Sequence, residues 1–256
     1  MLNTTGRLVG STITATDGAI GHVKAAFFDD QAWTIRYLVI EAGSWLTGRL
    51  VLISPYSVKR PVGDVRNIDV SLTREQVKMS PDIDTHQPVS RQHERELLSY
   101  YAYPEYWEGG GLWALESSPM LTPALPSPLT SEDLRVAKRR ELLADDVHLR
   151  SSVKVAGYEI QASDDSIGHV EDFIFDDDAW TIRYLLVDTR NWWPGGRKVL
   201  IGTHWIDRID WATKMVHVKL TREQVRSSPD YHDPQPIDRA YEKRLHAAYD
   251  RQGYWD

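Results

Sequence analysis

The residues able to do chemistry stand in short, separated clusters. Consecutive carboxylates occur at Asp29-Asp30 and at Asp176-Asp177-Asp178. They offer hard oxygen ligands, but calcium loops space their ligands alternately along a defined turn, and these runs do not. They read as solvated turn carboxylates. Asp82-Ile83-Asp84-Thr85-His86 and Asp230-Tyr231-His232-Asp233 mix aspartate with histidine, a set a divalent cation accepts. Each follows Ser-Pro, where Asp and Asn type side chains cap turns, so turns are the expectation and no metal site is assigned. His22 and His169 titrate near neutrality and suit a general base or a pH sensor. Neither has a sequence neighbour that would complete a triad, so both are expected to be structural. Ser151-Ser152-Val153-Lys154 has the Ser-x-x-Lys form of a serine acylase but lacks the companion motifs. Gly109-Gly110-Gly111 is followed by Leu112 and Trp113, with no Lys-Ser/Thr to make a phosphate loop. No catalytic residue and no cofactor follow from these patterns.

The tryptophans point elsewhere. Trp33 and Trp180 lead into apolar runs and are expected in the core. Trp45, Trp192 and Trp193 fall at turns beside glycine, where side chains project from a sheet. Exposed tryptophan is costly and is enriched at binding hot spots, so these three are the candidate partner-binding residues.

The elements that must position these groups occur twice. Ala32-Trp33-Thr34-Ile35-Arg36-Tyr37-Leu38 recurs letter for letter as Ala179 to Leu185, and Ile20-Gly21-His22-Val23 recurs as Ile167 to Val170, both at an offset of 147. After an insertion at Gly196 the offset becomes 148, and Thr73 to Val77 returns as Thr221 to Val225. The expected domains are 1–108, a Gly/Pro-rich linker at 109–147 with a short helix over 130–144, and 148–256. Each repeat reads as five or six short strands joined by tight turns, the pattern of a small barrel. Thr73-x-x-Gln76 and Thr221-x-x-Gln224 fit a helical capping box. A second helix is expected over 89–102 and 237–250, and the aromatic tails at 103–107 and 249–255 are expected to fold back onto their own barrels.

Composition removes several function classes. The 256 residues carry a net charge of −7, divided −2, −2 and −3 among the three segments. No segment has the clustered Lys and Arg that phosphate binding needs, so nucleic acid is not an expected partner. There is no cysteine, which removes thiol catalysis and disulfides and suits a reducing compartment. No apolar run reaches the roughly 18 residues of a membrane span. A cytoplasmic protein without a transmembrane segment is expected; peripheral membrane association stays compatible with this.

The second repeat resembles the PRC-barrel family, known from the cytoplasmic domain of the photosynthetic reaction-centre H subunit and from the C-terminal domain of a ribosome maturation factor. The likeness rests on Gly157, Ile167-Gly168-x-Val170-x-Asp172, the acidic turn at Asp176, Tyr184 to Asp188, and Val199-Leu200-Ile201. The first repeat follows with Ala25 in the place of Asp172 and Glu41 in that of Asp188. The whole chain is similar to bacterial tandem PRC-barrel proteins, including the Trp192-Trp193-Pro194-Gly195 hairpin. This resemblance implies a mainly β fold of two partly open antiparallel barrels, each followed by short helices, and a non-enzymatic assembly module with an unidentified protein partner. Two other readings are an Asp/His metal-dependent hydrolase at the barrel junction and a peripheral factor of a photosynthetic or ribosomal assembly.

Overall fold

The structure is a computed structural model that describes residues 1–46, 48–60, 65–81, 89–107, 111–114, 116–121, 148–190, 192, 195–232 and 237–255. The helix expected over 130–144, the Asp82 to His86 cluster, Asp233 and Trp193 lie outside the described residues. The chain opens on β1 (Leu2–Thr4) and a one-turn helix α1 (Thr5–Leu8). The first repeat continues with β2 (Thr12–Ala15), β3 (Gly18–Asp29), β4 (Thr34–Ala42), β5 (Leu50–Ile53) and β6 (Asn67–Asp69), then α2 (Arg74–Lys78) and α3 (Arg91–Tyr100). The second begins with β7 (Leu149–Ser151) and α4 (Ser152–Val155). It runs on through β8 (Glu159–Gln161), β9 (Ser166–Asp176), β10 (Thr181–Asp188), β11 (Lys198–Gly202), β12 (Ile206–Asp210) and β13 (Met215–Val218) to α5 (Arg222–Ser227) and α6 (Arg239–Ala248).

Both expected capping boxes form: the Thr73 and Thr221 hydroxyls accept from the Gln76 and Gln224 amides, while each Gln side chain accepts from its Thr backbone. These bonds satisfy donors that the first turn of a helix leaves free.

Two compact units result, and they interleave the repeats. The first-repeat unit comprises Val9–Arg150 with Asp178–Trp180; the second-repeat unit comprises Met1–Leu8, Ser151–Asp177 and Thr181–Asp256. Each unit takes the leading strand of the other repeat. In the second-repeat unit β1 pairs antiparallel with β9, Leu2 opposite Asp176 and Thr4 opposite Ile174. In the first-repeat unit β7 pairs with β3, and Leu149 enters a core with Ala25, Phe27, Tyr37, Val39, Leu52, Val89 and Leu97. The reason is local. A three-residue strand has too little backbone pairing to stand alone and is held where a long strand offers an edge.

Within each unit the sheet is mixed rather than purely antiparallel. The long hairpins β3–β4 and β9–β10 are antiparallel, but β2 pairs parallel with β6, and β13 pairs parallel with β8. The short strand after the helical turn enters β2 or β8 from the far side, which the local alternation of residues does not specify. Both long hairpins carry a register shift at the same place, between Val23 and Ala25 and between Val170 and Asp172. These bulges bend the sheet over its core. The close approach beside them explains the repeated Ile-Gly. A Cβ on Gly21 would lie 2.0 Å from the Glu41 carbonyl oxygen, and one on Gly168 would lie 2.1 Å from that of Asp188.

Candidate functional site

Each unit buries a glutamate beneath its C-terminal tail. In the second-repeat unit Glu242 lies on the first turn of α6, which Asp238 caps by accepting from the Tyr241 amide. Its Oε1 accepts from the Tyr184 hydroxyl of β10 at 2.8 Å and from the Tyr254 hydroxyl of the tail at 2.9 Å. Oε2 lies 3.0 Å from Arg239. His246, one turn further along α6, sets its Nε2 2.9 Å from the Tyr184 oxygen. Arg183 covers the Tyr254 ring at 4.2 Å, and Arg239 covers that of Trp255 at 4.1 Å.

The first-repeat unit builds the same framework. Glu94 of α3 is fully buried. Its Oε2 accepts from the Tyr106 hydroxyl at 2.6 Å, and Arg91 donates to that hydroxyl at 2.9 Å. His148 Nε2 lies 3.0 Å from both Glu94 Oε1 and the Tyr106 oxygen. Arg36 stacks on Tyr106 at 3.8 Å and on Trp113 at 4.8 Å, and donates to the Leu112 carbonyl. Trp113 donates to the Ala179 carbonyl at 2.8 Å and is buried.

Burial, then the nearby glutamate, pushes the hydroxyls of Tyr37, Tyr106 and Tyr184 well above their ordinary range. Burial raises Tyr254 to about 12, with Glu242 adding to it. These phenols are therefore neutral donors. Tyr106, Tyr184 and Tyr254 satisfy the buried carboxylates, which would otherwise be costly to desolvate. Glu94 and Glu242 are thus both buried and both hydrogen-bonded by a tail tyrosine.

The acidic turns do structural work. Asp29 Oδ1 accepts from the amides of Gln31 and Ala32 at 2.9 and 3.1 Å, closing the turn before β4. Asp30 takes Arg150 at 2.7 Å, and Asp178 takes Arg60 at 2.7 Å. Asp177 takes the N-terminal ammonium, with Asn3 at 3.0 Å. Asp230 pairs with Arg197, while His232 is exposed and Tyr231 is buried. Among the described residues no group of three His, Asp or Glu side chains converges to hold a metal ion. His22 is exposed and His169 half-buried on their strands. Trp45 and Trp192 stand at equivalent hairpins, half-buried, with Arg74 stacked on the one at 4.4 Å and Arg222 on the other at 4.5 Å. Trp45 also donates to the Ile20 carbonyl at 2.7 Å.

Sequence reasoning missed Glu94, Glu242, His148, His246 and the packed Trp113. A signal was present for some of them. Arg36, Tyr37, Arg91, Glu94 and Tyr106 recur as Arg183, Tyr184, Arg239, Glu242 and Tyr254, and polar residues kept at matching positions of two apolar repeats point to a shared buried network.

Residues 151–225 match the PRC-barrel domain family. PRC-barrel domains are interaction or assembly modules and are generally non-catalytic. A search of curated proteins found no match. Among the described residues no helix is long and apolar enough to cross a membrane.

Proposed function

We propose that this chain is a non-enzymatic, cytoplasmic assembly module in which residues 1–108 form a second, diverged PRC-type copy beside the matched one. The PRC-barrel match over 151–225 carries the reading. The geometry supports it, because the buried glutamate of each unit is taken up by a tail tyrosine and an arginine of its own unit. The partner is a protein. Each unit offers it one hairpin, with Trp45 in the one and Trp192-Trp193 in the other; a tryptophan–arginine pair recurs at both, and tryptophan and arginine are the residue types that anchor interfaces.

The test is cross-linked affinity capture from the native host, comparing the wild-type chain with a Trp45→Ala/Trp192→Ala variant of unchanged circular dichroism. A defined protein set held by wild type and lost with the folded variant is expected. Equal capture by both would remove the hairpin face. Turnover of hydrolase substrates by the purified chain would overturn the non-enzymatic reading.

A further inference from the structure

His246 is nearly fully buried, at 3% exposure, and each of its ring nitrogens lies against an oxygen. Nδ1 lies 2.7 Å from the Gln252 carbonyl oxygen. A carbonyl only accepts, so Nδ1 carries a proton. Nε2 lies 2.9 Å from the Tyr184 oxygen, which itself lies 2.8 Å from Glu242 Oε1. Tyr184 has one hydroxyl proton for these two contacts. If it points to Glu242, the Nε2 contact lacks a proton; if it points to Nε2, the carboxylate contact does. Glu242 already accepts from Tyr254 and pairs with Arg239, so the further proton, taken from water, goes to Nε2 and completes the chain: Nε2–H donates to Tyr184, and Tyr184 donates to the Glu242 carboxylate.

The surroundings suit a cation. The rings of Trp255, Trp205, Tyr184 and Tyr254 surround the imidazole, with centroids 4.8, 5.1, 5.9 and 6.4 Å away. Three of these rings lie within the roughly 6 Å over which an aromatic ring can attract a cation. The charged and titratable groups facing the site come from every packed element. They are Arg183 and Tyr184 of β10, His204 of the turn Thr203–Trp205, Arg239 and Glu242 of α6, and Tyr254 of the tail. Glu242 favours the extra proton, and burial of the ring works against it. Arg239 and Arg183 oppose it, but Arg239 is held by Glu242 at 3.0 Å and Arg183 lies 3.5 Å from Asp176. His204 is pushed down, first by burial and then by charge on His246.

We infer that the second-repeat unit holds His246 as a caged imidazolium, and that this buried proton fastens the C-terminal tail. Four tail residues converge on it. Arg251 donates its amide to the His246 carbonyl at 2.9 Å, Gln252 accepts from Nδ1, Tyr254 reaches Glu242, and Trp255 covers the ring. A proton held in the folded state above the ordinary histidine range of about 6.5 contributes its full stabilisation below that pH. That stabilisation is lost as pH rises through the folded midpoint, and the tail loosens with it.

The test uses the full chain with isotope-labelled histidine and follows the ring-nitrogen resonances of His246, assigned by their loss in His246→Asn. At pH 7.5 a free histidine is about nine-tenths neutral. Here both ring nitrogens should read as imidazolium, with a midpoint above 7.5. Tyr184→Phe should lower that midpoint by at least one pH unit, a tenfold change in proton affinity. Tail amide exchange at Arg251 to Trp255, corrected for intrinsic rates, should rise as His246 titrates. A neutral His246 at pH 7.5 in the folded wild type would overturn the inference, whatever the folding of the variant. So would a Tyr184→Phe variant that folds with an unmoved midpoint, or tail exchange indifferent to the titration.

Discussion

The two units solve one packing problem with different residues. Both set a glutamate from the post-barrel helix against a tail tyrosine and two arginines, and all of these come from matching repeat positions. The histidine does not. In the first-repeat unit it is His148, at the start of β7; in the second it is His246, on α6, where the matching position of the first repeat is Leu98. A second contrast lies at the bulge. Ala25 packs into the first-repeat core, whereas its counterpart Asp172 turns to the N-terminal segment, accepting from the Thr5 hydroxyl at 2.5 Å and from the Gly6 amide at 3.0 Å. The comparison teaches that the duplicated fold fixes the buried carboxylate and its tyrosine. It leaves open which residue supplies the imidazole and what anchors the leading strand.

The largest expected effect falls where the units agree. Gly21→Ala and Gly168→Ala each force a methyl into a neighbouring carbonyl, and each should destabilise its unit by about 4 kcal/mol in urea unfolding. A loss confined to one of the two would break the equivalence of the hairpins. Next comes an exchange across the contrast. Ala25→Asp places a carboxylate among Phe27, Tyr37 and Leu97 and should cost about 3 kcal/mol.

Asp172 gives a pH signature in the second-repeat unit. Burial raises its carboxyl above the usual value of 3.8, although the Thr5 and Gly6 bonds work against the rise. With the folded pKa above the unfolded one, the folded state binds more protons between the two values. Stability from this group therefore falls as pH rises through that window. Asp172→Asn should flatten this part of the stability–pH curve, and an unchanged slope would count against the buried anchor. The smallest effect belongs to the hairpins. Trp45→Ala and Trp192→Ala each lose one arginine–indole stack and should shift stability by about 1 kcal/mol. A loss of several kcal/mol would mark these tryptophans as core rather than as a contact face.

Much of the fold was legible because its causes are local. The turn aspartates, the capping boxes at Thr73 and Thr221 and the two helices after each run of strands follow from spacing over three to twelve residues. The parallel entry of β6 and β13 and the exchange of β1 and β7 were not legible, since a three-residue strand carries no pattern that names its partner. Trp113 was hidden for another reason. It follows three glycines and precedes a proline-rich stretch, so composition placed it in a linker, while its indole is held between Tyr56 and Arg36. The glutamates escaped because a charged residue on a helix is ordinarily read as its solvent face. The tail, whose Tyr106 or Tyr254 donates to the carboxylate, lies far from them in the repeat pattern of strands.

The claim on which this account rests is that both glutamate clusters serve the fold. Hydrogen exchange of Glu94→Gln and of Glu242→Gln, followed amide by amide in the full chain, tests it most directly. Each substitution weakens the pairing with Arg91 or Arg239 and removes the charged acceptor beneath the tail, and should lower protection across its own helix, tail and central hairpin by about 3 kcal/mol. Full protection in both variants would show that the carboxylates are dispensable to the fold and would reopen a chemical role for them.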